Sequence, residues 1–229
     1  MSELTPVNPW LRRLLFHSGW RTLAERSALL LLLGGGLLLV TAALFAVEAL
    51  SILSIQGLLT GVTGSAGIIL SYAGLLGLYP WYAERTPRLA RAGFVLVALP
   101  TLVITVLLVW GLASHLPFGT VPSPIDVLPG VGLIFVLTFL LLAVGVGTFG
   151  VASLRTGIPS RPTGILLVGL AATWGVLFGA SGVYGSKFPA WLDALSFGMM
   201  ATFLSGIGYD LRRKSPPRDR TEEAAESRR

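Results

Sequence analysis

Ser181 and His115 are the two side chains in this sequence that could work as nucleophile and base. A serine hydroxyl attacks only when a base within hydrogen-bond reach takes its proton. Ser181 stands in the run Gly179-Ala180-Ser181-Gly182, and His115 stands in a loop expected at the same side of the chain. The competing reading of that run is a close-packing Gly/Ser patch. Glu48 and Asp193 are the other candidates, both near helix ends expected on that side. Two carboxylates there could hold a cation. Each also has a plain reading: Glu48 as an interfacial carboxylate reaching water, and Asp193 as compensation of a helix N-terminal dipole. The expectation is no catalytic residue, no cofactor and no metal site.

Other chemistries lack their parts. The chain has no cysteine, so thiolate nucleophiles and cysteine-based metal sites are excluded. Its two histidines, His17 and His115, fall on opposite sides and cannot share a haem. No Walker motif, G-x-G-x-x-G or H-E-x-x-H occurs. Gly179-Ala180-Ser181-Gly182 resembles the Gly-x-Ser-Gly motif of rhomboid intramembrane proteases, which also have a six-span core and a cytoplasmic N-terminus. That resemblance implies an intramembrane hydrolase using Ser181. Rhomboids place the motif in the fourth span and the histidine in the sixth. Here the motif falls in the fifth span and no histidine follows it.

The elements that would position these residues are membrane helices. The chain has 229 residues, 53% hydrophobic and 12% charged, against about 25% charge in a soluble domain. A spanning helix needs about 20 apolar residues. Five uncharged stretches meet this: Ala28–Val47, Ala49–Ala83, Ala92–Ser114, Val127–Leu154 and Pro162–Ser186. A sixth, Ala194–Tyr209, is short and borrows a turn from Pro189. The fold class is all-α, an integral membrane bundle of six transmembrane helices. The spans run Ser27–Leu50, Gly57–Tyr79, Arg88–Ala113, Pro129–Ser153, Pro162–Tyr184 and Pro189–Asp210, the fifth started by Ser160 and Pro162. Pro100 is expected to kink the third by removing a backbone hydrogen bond. Residues 1–26 form a cytoplasmic segment too polar for a signal peptide, 27–210 the membrane domain, and 211–229 a disordered basic tail. The two halves do not align as an inverted repeat.

Charge placement sets the orientation. Arg12, Arg13, Arg21 and Arg26 precede the first span; Arg85, Arg88 and Arg91 follow the second; Arg155 and Arg161 follow the fourth. Seven more basic residues fill the tail, and Lys187 alone falls on the opposite side. By the positive-inside rule both termini are cytoplasmic, in the cell membrane. The net charge of +6 is therefore a topology signal, not a nucleic-acid footprint. The partners it implies are membrane lipids. Trp20, Tyr79, Trp81, Tyr82 and Tyr209 are expected at the inner interface, and Trp110, Tyr184 and Trp191 at the outer one.

Small residues at steps of three and four line one face of three spans. They are Gly57, Gly61, Gly64, Gly67, Ser71 and Gly74; Ala172, Gly175, Gly179 and Gly182; and Gly198, Ala201, Ser205 and Gly208. Such faces let helix backbones approach in lipid. They serve packing within the bundle or contact with a membrane-protein partner or second copy. Gly175 and Gly179 are expected to reject leucine. Trp174, midway along the fifth span, is a packing residue or a pocket wall.

Leu78-Tyr79-Pro80 and the run Ala83 to Gly93, read Ala-Glu-Arg-Thr-Pro-Arg-Leu-Ala-Arg-Ala-Gly, resemble a stretch in uncharacterised multi-pass membrane proteins of haloarchaea. The resemblance implies a membrane fold and carries no activity. The sequence thus points to a non-catalytic membrane protein: a scaffold, accessory subunit or membrane sensor. The alternatives are a transporter or channel for a small solute, flexing at Pro100 and the seams, and the Ser181 hydrolase.

Overall fold

A computed structural model describes residues 19–50, 57–83, 85–114, 130–184 and 189–214. The described residues are helical apart from short turns. The helices are α1 (Gly19–Ala49), α2 (Gly57–Leu76), α3 (Tyr79–Ala83), α4 (Pro87–Ser114), α5 (Val131–Thr156), α6 (Arg161–Tyr184) and α7 (Ala190–Lys214). Five helical segments are long and apolar enough to cross a membrane: Thr22–Ala49, Leu59–Ala83, Pro87–Ser114, Gly132–Thr156 and Ala190–Lys214. Those five are counted among the described residues, and α6 packs between two of them.

The long helices form a closed ring in the order α1, α2, α4, α5, α6, α7, with α7 returning to α1. Neighbours around the ring run antiparallel. The short α3 fills one end, touching α1, α4 and α5. The outside of the ring is as greasy as its inside: Leu102, Ile165 and Val176 are each more than 60% exposed. In water that surface would be an association hazard; in a bilayer it is the lipid-facing wall. The described Lys and Arg residues gather at one end, here the basic end, because each basic helix terminus lies there.

Helix ends differ from the sequence expectation where charge was taken as a stop. α1 already includes Gly19 to Arg26, ahead of Ser27, and α7 continues past Asp210 through Lys214. Charge ends a lipid-buried run; it does not end a helix. Arg212, Arg213 and Lys214 occupy the last turn of α7, where cations complement the C-terminal dipole. Leu211, assigned from sequence to the tail, is buried in the core.

Close approach is concentrated on α1. A Cβ added to Gly34 would stand 2.3 Å from the Ser71 Oγ and 2.7 Å from its backbone nitrogen, on α2. One added to Gly35 would stand 2.3 Å from the Ser205 Oγ on α7. The same two contacts continue through Gly67 against Leu38, Gly74 against Leu31, and Gly208 against the Ala28 carbonyl. The Gly34-Gly35 pair was not part of any seam read from the sequence. Other expected seam positions face elsewhere: a Cβ at Gly61 or Gly175 would meet nothing within 4 Å. Gly175 therefore gives no reason within this chain to reject leucine. Gly64 and Gly198 have only ordinary contacts, to Thr41 at 3.4 Å and Ala42 at 3.9 Å. The surroundings of Gly57, Gly179 and Gly182 lie outside the described residues.

Inside the ring, Tyr72 of α2 meets Trp174 of α6 edge-on, their ring centroids 6.1 Å apart. These helices are not ring neighbours, so the two side chains meet across the middle. Tyr82 is also fully buried, stacked on Phe149 at 5.2 Å. It was expected at the wet interface. The chain turns at Gly77-Leu78 and α3 folds Tyr82 back under the bundle. Pro100 is buried within α4. A Cβ at Gly145 of α5 would stand 2.9 Å from the Leu96 backbone, so α5 presses its barest point against the turn that the proline interrupts.

Gly34→Ala and Gly35→Ala should each lower stability by about 1–3 kcal/mol, the usual cost of overpacking. Gly36→Ala should not, because a Cβ there meets nothing within 4 Å. Thermal unfolding in detergent, followed by size-exclusion fluorescence, distinguishes the three.

Candidate functional site

Of the residues nominated from sequence, the structure describes Glu48 and Asp193 and brings those two to one end. Glu48 is exposed at the end of α1, and Asp193 is partly buried in the first turn of α7. The Glu48 charge reaches Asp193, so the two carboxylates form a like-charged pair at the end away from the arginines. Lys187 lies outside the described residues, as do His115 and the side chain of Ser181.

The structure instead builds a polar cluster at the basic end, from four elements. α5 ends at Gly157, whose left-handed backbone (φ 69°) lets its N–H donate to the Ser153 carbonyl at 2.8 Å. The following turn leads to Ser160, which caps α6: the Thr163 N–H donates to the Ser160 Oγ at 3.0 Å. The turn is held from below by the Ser153 hydroxyl, which donates to the Ser160 carbonyl at 2.7 Å.

Asp210 of α7 then reaches across. Its Oδ2 accepts from the Ser160 hydroxyl and, at 2.6 Å, from the Thr163 hydroxyl. Lys214, one turn on, places its Nζ 3.5 Å from the same oxygen and 3.5 Å from the Pro159 carbonyl. A carboxylate here serves three ends at once. It accepts charge-assisted hydrogen bonds, it faces the positive N-terminus of α6, and it ties the α5–α6 hairpin to the far end of the chain. The Lys214 side chain is 40% exposed and that of Asp210 only 17%. The hydroxyl bonds therefore carry the contact, and the ion pair adds little.

Ser160 is not placed as a nucleophile. It is buried, its lone pair caps α6, and its proton is committed to Asp210. The cluster is a clasp. Sequence reading used Ser160 only as a helix start and Asp210 only as a span end. Two signals were available: a Ser-x-x-Thr run opening α6, and an Asp four residues before a Lys closing α7. Both face the same end once the helices alternate.

Asp210→Ala should destabilise the protein by about 2–4 kcal/mol, since it removes charged hydrogen bonds and leaves the Ser160 and Thr163 hydroxyls, 3.1 Å apart, only each other. Lys214→Ala should cost under about 1 kcal/mol. Equal losses on thermal unfolding would show that the ion pair, not the hydroxyl contacts, holds the clasp. No family model, no curated protein and no solved structure matches the chain.

Proposed function

We propose that this chain is a six-span protein of the cell membrane, both termini cytoplasmic, acting without catalysis as a scaffold, accessory subunit or membrane sensor. The observation that carries this reading is the filled centre of the ring. A solute path needs a polar cavity reaching the bilayer midplane. Trp174 lies midway along α6, and at its level the centre is closed by Trp174 against Tyr72. Leu31, Leu38, Leu142, Leu167 and Leu204 are fully buried around them.

Chain direction supports a sixth crossing. α5 and α7 both finish at the basic end, at Thr156 and Lys214. The chain between them has to return to the opposite end, and α6 is the helix that packs between them. Gathering of the described Lys and Arg at one end supports the cytoplasmic placement of both termini. A solute transporter is the second reading, resting on Pro100 inside α4. It is less favoured because Gly145 packs directly on that turn.

The chain contains no cysteine, so single cysteines give clean topology markers. In intact cells a membrane-impermeant maleimide should label Val121→Cys and leave Ser2→Cys and Ser227→Cys unlabelled. Labelling of Ser227→Cys would overturn the six-span arrangement. In proteoliposomes, efflux of glycerol, urea and potassium should match that of protein-free vesicles. Faster efflux of any of these would favour the transporter.

A further inference from the structure

α6 and α7 are closed along one half of their contact and open along the other. From the basic end the rungs are Pro159 with Lys214, Thr163 with Asp210, Leu166 with Gly206, and Gly169 with Phe203. The last is tight: a Cβ on Gly169 would stand 2.6 Å from the Phe203 ring. Beyond Phe203 the helices part. A crevice of about 340 Å³ opens between them, with Ala172, Thr173 and Val176 on one wall and Leu195, Ser196 and Met199 on the other. Leu192 stands at its mouth, one residue from the exposed Trp191.

The geometry points to a binding site for one hydrocarbon chain of a membrane lipid, drawn from the leaflet at the α7 N-terminal end. This rests on the membrane-spanning reading above. Three observations select that occupant. The lining is apolar, and its two hydroxyls are turned onto their own helices: Thr173 donates to the Gly169 carbonyl at 2.9 Å and Ser196 to the Leu192 carbonyl. Among the described lining residues no polar group is left to recognise a polar ligand. The length also fits. Leu192 to Phe203 spans 11 residues, about 16 Å at 1.5 Å per residue. One leaflet contributes about half of a 30 Å hydrocarbon core. Finally, Phe203 stops the crevice at that depth. A transmembrane helix from a partner would have to run on past Phe203, where α6 and α7 are already in contact. A single chain ending near the midplane does not.

The crevice differs from ordinary lipid-facing surface in being bounded. Its floor is the buried pair Thr173 and Ser196, and its outer edge is formed by Val176, Leu195 and Met199. A chain inside it touches protein on three sides, whereas one lying on α4 at Leu102 and Val106 touches protein on one. Dispersion contact scales with that enclosure.

The test uses the full-length protein in phosphatidylcholine vesicles containing a small fraction of phosphatidylcholine with a diazirine partway along one chain. Adducts are mapped by mass spectrometry after photolysis. Labelling at Val176, Leu195 and Met199 should exceed that at Leu102 and Val106, and should saturate as the labelled lipid is increased. Ala172→Phe and Met199→Trp plug the crevice from opposite walls. Each should lose the crevice adducts while those on α4 persist, which also shows that the variant is folded and embedded. Labelling no stronger in the crevice than on α4, or undiminished by both plugs, would overturn the site. So would protein–protein crosslinks in place of lipid adducts there. Absence of lipid adducts on both faces would instead overturn the membrane-spanning reading, and the site with it.

Discussion

Helices surrounded by hydrocarbon gain nothing from leaving it, so they must be held by contact closer than lipid can make with either. That constraint is tightest at two adjacent residues of α1. Successive helix positions are turned by about 100°, so Gly34 and Gly35 look toward different neighbours. One admits α2 to within contact of its backbone and the other admits α7. α1 thereby becomes the element on which the first and last parts of the chain converge, and the ring closes there. A single seam on one helix would make a pair. Two seams side by side make a corner, and a ring needs corners.

The interior reflects the same economy. Large side chains fill it: Tyr72 and Trp174, from helices that are not ring neighbours, bridge the middle, and Tyr82 of α3 with Phe149 of α5 fills the basic end below them. Polar side chains also join distant segments, as at Thr41 of α1 and Thr63 of α2, 2.9 Å apart. The Asp210 clasp sits where α6 begins, so its carboxylate faces a positive helix end while remaining partly wet. The clasp also explains why α6 and α7 are tight at one end and parted at the other. Their contact is fixed at Asp210, continues through Gly206 and Gly169, and stops at Phe203.

Much of this was legible in the sequence, for physical reasons. Uncharged stretches of the right length became helices, and the alternation of basic loops became a bundle with its described arginines at one end. Pro100 was correctly read as lying inside a helix. What failed depended on rotation about helix axes. Gly61 and Gly175 share the spacing of Gly67 and Gly208, but face open space because spacing defines a stripe without saying what it meets. Gly34-Gly35-Gly36 escaped notice because three consecutive glycines have no helical period, although two of them make the tightest contacts described. Asp210 was read as the end of a span because its partners, Ser160 and Thr163, are some fifty residues away in sequence. Local pattern finds elements; it does not find the corners where they meet.

The ring closes only if α7 returns to α1. Ala42 and Gly198 test it directly, since a Cβ on Gly198 would stand 3.9 Å from that of Ala42. This lies within the range that a disulfide spans, about 3.5–4.5 Å. In a chain without other cysteines, Ala42→Cys with Gly198→Cys should crosslink within one molecule on mild oxidation in membranes with copper phenanthroline. Protease cleavage between the two positions, with recovery of disulfide-linked fragments, reads it out. Failure to crosslink, or linkage only between separate molecules, would contradict the closed ring.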